Sequence, residues 1–564
     1  MLDDRVKVVL CWHMHQPLYR DTLTDQYILP WTYLHAIKDY VDMADHLEKA
    51  KQVKVVVNFA PILLEQLDDY AKQIISWSEK GTSLRDPLLS ALASPTLESL
   101  AQEEKLKLIQ TCLKANEERL INRFTQYRKL ANIARLAIVS SDLLTYLSSS
   151  FIEDLLVWYH IAWMGETVRR QNDLIIQFMK KEKSFSLEDR RALLDLIGEL
   201  IAGIIPRYQK LAKAGKVELA FSPYAHPIVP LLLDLQSAKE AAPDMPLPKH
   251  KSYEGGYERA EWHFLHGKQV FKKFFGFDPA GCWPSEGAVS EVTVALCEEM
   301  GIKWIATGEN VLRNSLKYAE PGGDDCIHKS YQYKDIAVRC FFRDDGLSDL
   351  IGFDYSKWHA DDAVSNLMHH LENIAKACPD RKNSVISIIL DGENAWEYYP
   401  ENAYYFLSAL YDSFSHHELL QNVTFSEAID SGAKPEVLPR LVAGSWVYGT
   451  FSTWIGDKEK NHAWDLLCDA KLACDKVLDS GKLNAEETRA LLHQLAICEG
   501  SDWFWWFGDY NPGEAVKDFD RLYRQHLKLL YEKMKQPVPA ELDKVISIGG
   551  GDPAAGGVMR QGSQ

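Results

Sequence analysis

The chain has 564 residues, 46% hydrophobic and 25% charged, the balance of a globular protein long enough for more than one domain. Its formal net charge of −17 argues against a nucleic-acid or anionic-membrane partner, since either favours basic patches. The 16 Trp and 25 Tyr exceed the needs of an ordinary core, and aromatic faces also stack on sugar rings.

The N-terminus carries charge and runs directly into a strand, without the apolar segment of a signal peptide. No apolar run approaches the ~18–20 residues that span a bilayer, so a soluble, cytoplasmic protein is expected. Ten cysteines are scattered from Cys11 to Cys498 with no CxxC pair, the pattern of reduced, mostly buried thiols.

Apolar, β-branched runs predict strands at Val6–Cys11, Val53–Phe59, Val217–Ser222, Pro279–Trp283, Lys303–Thr307, Ile336–Phe341 and Val385–Leu390. Helical stretches separate several of them, as in parallel β/α units. In one unit, Ser290 is placed to cap a helix through Met300 and Gly301 to end it. A barrel of such units is the simplest architecture. Residues 84–214, rich in Leu, Lys, Glu and Gln, predict a helical insertion on a barrel spanning 1–437. Residues 438–540 predict a C-terminal helical domain, and 541–564 a flexible tail.

Chemistry concentrates where predicted strands end. The first strand leads into Cys11-Trp-His-Met-His-Gln-Pro17, whose His13 and His15 share a face of an extended chain. The pair suits either a metal, with His226 as the best further ligand, or hydrogen bonds to sugar hydroxyls. Trp283-Pro-Ser-Glu286-Gly287 puts a carboxylate between a strand and a helix. Asp391-Gly-Glu393-Asn-Ala-Trp396-Glu397 follows the most apolar strand at once. Two carboxylates at one end of a barrel are the apparatus of glycoside hydrolysis, one as nucleophile or base and the other as acid.

The ordered set of His-Gln-Pro, Gly215-Lys-Val-Glu218, Trp283-Pro-Ser-Glu286 and Asp391-Gly-Glu-Asn-Ala-Trp-Glu397 resembles glycoside hydrolase family 57. The segment from Ser445-Trp446 to Trp454-Ile-Gly-Asp457 resembles that family's fifth motif. The resemblance runs from the first strand into the C-terminal helices. It implies an α/β fold, an incomplete (β/α)7 barrel followed by a helical domain. It also implies retaining chemistry on α-1,4-glucans, α-amylase-like, with no cofactor and no catalytic metal. Matched position by position, it implies Glu286 as nucleophile and Asp391 as general acid/base. His13 and His15 would line the sugar site at the cleavage point. Trp31, Glu218, His226, Trp283, Glu393 and Trp396 would shape the cleft, and Trp446, Trp454, Asp457, Asp502 and Trp503 would extend it. The run Asp502-Trp-Phe-Trp-Trp-Phe507 fits a hydrophobic seam between domains equally well.

The acceptor decides among related activities: water gives an amylase, another glucan gives a 4-α-glucanotransferase or a branching enzyme. Two other classes remain at this stage. A metal-dependent amidohydrolase-like barrel accounts for His-x-His but leaves Glu286 without a role. A non-catalytic glucan-binding protein accounts for the aromatics alone.

Overall fold

A computed structural model describes residues 4–21, 23–319 and 326–551. Seven parallel strands form its centre: β1 (Val6–Met14), β2 (Val55–Phe59), β3 (Val217–Phe221), β4 (Gly281–Cys282), β5 (Trp304–Thr307), β6 (Arg339–Phe342) and β7 (Val385–Asp391). They lie side by side in the order β7-β1-β2-β3-β4-β5-β6. Both faces of such a sheet are covered, which is why β1 is buried at all nine positions. A parallel bridge between Arg343 and Ser387, with Asp344 N donating to Ser387 O at 2.8 Å, draws the end of β6 towards β7. The sheet thus curls into an incomplete (β/α)7 barrel, as expected.

Each predicted run overlaps an observed strand, and the ends differ by a few residues. The strand predicted to begin at Pro279 shrinks to Gly281–Cys282, and Gly281 packs against the Trp304 indole. A Cβ there would sit 1.7 Å from Trp304 Cε2. Five short strands were not legible in the sequence: Tyr331–Tyr333, Leu420–Asn422 and Glu436–Leu438, which extend the sheet at its edges and at the base of β1, and Arg20–Asp21 and Gln26–Tyr27, which pair with each other.

Around the barrel run α1 (Pro61–Lys80), α2 (Leu187–Lys213), α3 (Gly256–Phe275), α4 (Glu291–Glu299) and α5 (Ala360–Ala377). Ser290 caps α4 by accepting from Thr293 N, and Gly301 follows in the left-handed region. Between residues 84 and 214 all regular structure is helical, ending in the 27-residue α2. From Lys458 the regular elements are again helical: α6 (Lys458–Asp479), α7 (Ala485–Cys498), α8 (Ser501–Trp506) and α9 (Gly513–Lys533). The segment read as a flexible tail is in part anchored. Asp520 Oδ1 accepts from Ile546 N and Ser547 N, and Gly550 N bonds Asn511 O. Residues 552–564 of that segment lie outside the described residues. Eight of the ten cysteines are buried. Among the described residues no helix is long and apolar enough to cross a membrane.

Candidate active site

The strand register assembles the site. His13 lies directly beside Asp391 across β1 and β7, and beside Asn58 across β1 and β2. His15 follows on the loop, so both histidines and Asp391 reach the carboxyl end of the barrel, where parallel folds keep their chemistry. A cavity of about 660 Å³ opens there, lined by His13, His15, Trp283, Glu286, Asp391 and Trp446 among others.

Glu286 sits in the turn after β4 with φ 58° and ψ 25°, a left-handed conformation costly for a residue with a Cβ. Its surroundings fix that geometry. Gly287 N bonds Pro284 O at 2.7 Å, and Trp446 N bonds Glu286 O at 3.1 Å. Gly287, itself at φ 58°, leaves room for Trp283 and Trp446, whose rings lie 6.3 Å apart at 74°. The carboxylate accepts from Trp446 Nε1 at 3.0 Å and from the Ser501 hydroxyl at 3.5 Å. Burial pushes its pKa up to about 8; the Trp446 bond opposes this and the nearby Asp391 charge adds to it.

Asp391 ends β7 and accepts from Asn394 Nδ2 at 3.2 Å. Burial raises its pKa to about 6, against the pull of Asn394, His15 and Arg343. Arg343 braces both sides of the site. It donates to Ile389 O at 2.9 Å, two residues before Asp391, and its guanidinium lies 5.1 Å from the Trp446 ring centre.

Three imidazoles stack beside the carboxylates. His226 lies 3.9 Å from His15 and 5.1 Å from His13 between ring centres, each pair within about 20° of parallel. Burial holds His13 down to about 3 and His226 well below its usual value, with His15 as the next cause, so both are neutral. For His15, burial is outweighed by Asp502, which meets Nε2 with both oxygens at 3.0 Å, and the pKa rises. Of the three rings, His15 is the one whose surroundings favour the protonated form. His13 Nε2, His15 Nδ1 and His226 Nε2 have no partner in the protein.

Ligating atoms of His15, His226 and Asp502 lie within 4.8 Å of one another, the spacing of a possible cation site. Their geometry does not suit one. Imidazole lone pairs lie in the ring plane, so stacked rings aim past each other, and His15 Nε2 is already engaged by Asp502. A catalytic metal routed through His-x-His finds no coherent ligand set here.

The sequence profile of glycosyl hydrolase family 57 matches residues 9–442. The chain belongs to that family. It is accordingly a glycosidase-class enzyme. The fold is shared with a GH57-type branching enzyme from Pyrococcus horikoshii at 15% identity and TM-score 0.55, covering 98% of this chain and 99% of that one. It is shared too with the α-amylase AmyC from Thermotoga maritima, at 13% identity, TM-score 0.57 and 95% of each chain. A 4-α-glucanotransferase from Thermococcus litoralis matches at 14% identity and TM-score 0.52, over 93% of this chain and 60% of that one. Among curated protein sequences, none matches the chain.

Within this family 57 barrel the expected site residues separate into two groups. Trp31, Trp283, Glu393, Trp446 and Asp502 line the cavity with the two histidines and the two acids, and His226 stands behind His15 in the stack. Glu393 also holds the first loop, its Oε1 accepting from His15 N, Gln16 Nε2 and Tyr40 OH at 3.1–3.2 Å. The other group lies elsewhere. Glu218 is the second residue of β3, at the opposite end of the barrel, where it accepts from Trp304 Nε1 and Ser426. Trp396 is buried against Trp12, ring centres 5.6 Å apart. Trp454 and Trp503 are fully enclosed, the latter donating to Ile497 O at 2.8 Å. Asp457 caps α6 through Glu459 N.

Some lining residues escaped the sequence reading. Gln16 and Asn394 lie within the motifs already noticed, and Trp505 and Trp506 within the aromatic run, so their neighbourhood was a signal. Asn116 and Trp163 come from the helical insertion, where nothing local marks them.

Proposed function

We propose that this enzyme cleaves α-1,4-glucans with retention, by double displacement through a glycosyl-enzyme intermediate. The observation that carries the reading is the pair of half-buried carboxyls, Glu286 and Asp391, at the ends of β4 and β7 in one aromatic-walled cavity. Glu286 attacks the anomeric carbon while Asp391 protonates the departing glycosidic oxygen. Asp391 then takes a proton from the incoming acceptor, whose oxygen displaces Glu286.

The protonation of the pair suits this role. With both pKa values raised, the two carboxyls share a single proton near neutrality. In the free site burial keeps that proton mostly on Glu286. The reactive form has the same net charge with the proton on Asp391. Hydrogen bonds from Trp446 and Ser501 stabilise ionised Glu286 and so favour that form. Of the unpartnered imidazole nitrogens, those of the cavity-lining His13 and His15 supply hydrogen bonds for sugar hydroxyls.

Hydrolysis is the principal reading, with water as acceptor. Transfer to a second glucan is supported by a separate feature: Trp31, Trp163, Trp505, Trp506 and Phe519 give the cavity broad apolar walls on which an acceptor sugar can stack. Product analysis on a pure linear maltooligosaccharide separates the cases. Shorter sugars alone indicate hydrolysis, and longer or branched products indicate transfer. Glu286→Gln and Asp391→Asn are each expected to lower turnover by about 10³-fold or more. Near-native activity in either variant would remove the mechanism.

A further inference from the structure

Glu499 has no place in the chemistry above and Ser501 enters it only as a donor to Glu286, yet together they join the helical region to the nucleophile. Glu499 ends α7 and is fully buried. Arg259 on α3 grips it, with Nε–Oε1 at 2.8 Å and Nη2–Oε2 at 2.7 Å. His263, one turn along the same helix, meets Oε2 at 2.8 Å, and Tyr253 OH donates to Oε1. Burial would raise this carboxyl, but Arg259 and His263 outweigh it and hold the pKa down at about 2. A buried carboxylate with four donors is a fixed point.

The next three residues enter the active site from that point. Gly500 bridges to Pro227, and Ser501 N donates to His226 O at 2.9 Å. The Ser501 hydroxyl lies 3.0 Å from His226 Nδ1 and 3.5 Å from Glu286 Oε1, and Asp502 holds His15. Since His226 is neutral, its Nδ1–H can donate to Ser501 Oγ while Ser501 donates to Glu286. We propose that Glu499 and Ser501 are positioning residues: the Glu499 clasp sets the height of the segment, and Ser501 relays a hydrogen bond from His226 to the nucleophile.

This inference rests on the proposed role of Glu286. That carboxylate also faces Trp446, His15, Asp391 and Asp502, so the relay is one of several influences on its proton. The test is the pH profile of kcat and KM on a maltooligosaccharide for Ser501→Ala, Ser501→Thr and Glu499→Gln, with Glu286→Gln alongside. Loss of the hydroxyl destabilises ionised Glu286. Ser501→Ala should therefore lower kcat about fivefold or more, shift the alkaline limb upward and leave KM within about twofold. Ser501→Thr, which keeps the hydroxyl, should restore both. Glu499→Gln should shift the same limb in the same direction. A Ser501→Ala enzyme with native kcat and profile overturns the relay, while an inactive Glu286→Gln enzyme leaves the mechanism standing. A Glu499→Gln enzyme that melts earlier but keeps the native profile overturns the part given to the clasp. An active Glu286→Gln enzyme sinks the mechanism itself.

Discussion

Glu286 is held in a backbone conformation that costs of order 1–3 kcal/mol, with a carboxyl that burial drives towards its neutral form. Both costs are sustained because Trp446 fixes the residue twice, through its backbone N–H and its indole N–H. In the proposed mechanism the acids set a definite pH response. Below about pH 6 both carboxyls hold protons and no nucleophile anion is present. Above about pH 8 neither holds one and the leaving oxygen has no acid. The plot of kcat/KM against pH should therefore be a bell with its limbs near those values. A flat profile from pH ~5 to ~9 would show that the dyad does not govern turnover.

At the scale of elements, the strands were legible because a parallel barrel buries both faces, leaving near-continuous apolar runs such as Val385–Leu390. The site was legible where a strand end carried its residue, as with His13 and Asp391, neighbours in the ladder. It was not legible where direction mattered. Trp396 stands in a motif of acids, yet the turn after β7 directs its ring inward onto Trp12. Glu218 sits in a strand that serves the site, but at the other end of it. The three short edge strands are too brief to show an alternation, and the insertion's Asn116 and Trp163 reach the cavity only through tertiary packing. These placements predict different phenotypes. Trp396→Ala should cost about 3–5 kcal/mol of stability, read by denaturant melting, because it leaves a cavity in the core. A loss of sugar affinity at unchanged stability would return Trp396 to the cleft.

On the scale of the whole molecule, the cavity is composite. The barrel supplies both carboxyls and two histidines, the insertion supplies Asn116 and Trp163, and the C-terminal helices supply Asp502, Trp505 and Phe519. The helical region is thus a wall of the site, and its aromatic run serves cavity and core at once: Trp505 lines the cleft while Trp503 packs on Tyr523 and His526. The charge of −17 has a consequence for kinetics. An uncharged glucan is neither steered nor repelled by it, so kcat/KM should change less than about twofold between ~20 mM and ~500 mM salt. A steep salt dependence would point to a charged substrate.

The central claim is that Glu286 and Asp391 carry out two successive displacements at one anomeric carbon. Proton NMR of the first sugar released from a linear maltooligosaccharide, recorded before mutarotation, tests it directly. Two displacements predict that the new reducing end appears as the α-anomer, the configuration of the bond cleaved. First appearance of the β-anomer would mean a single displacement by water, with no covalent intermediate on Glu286.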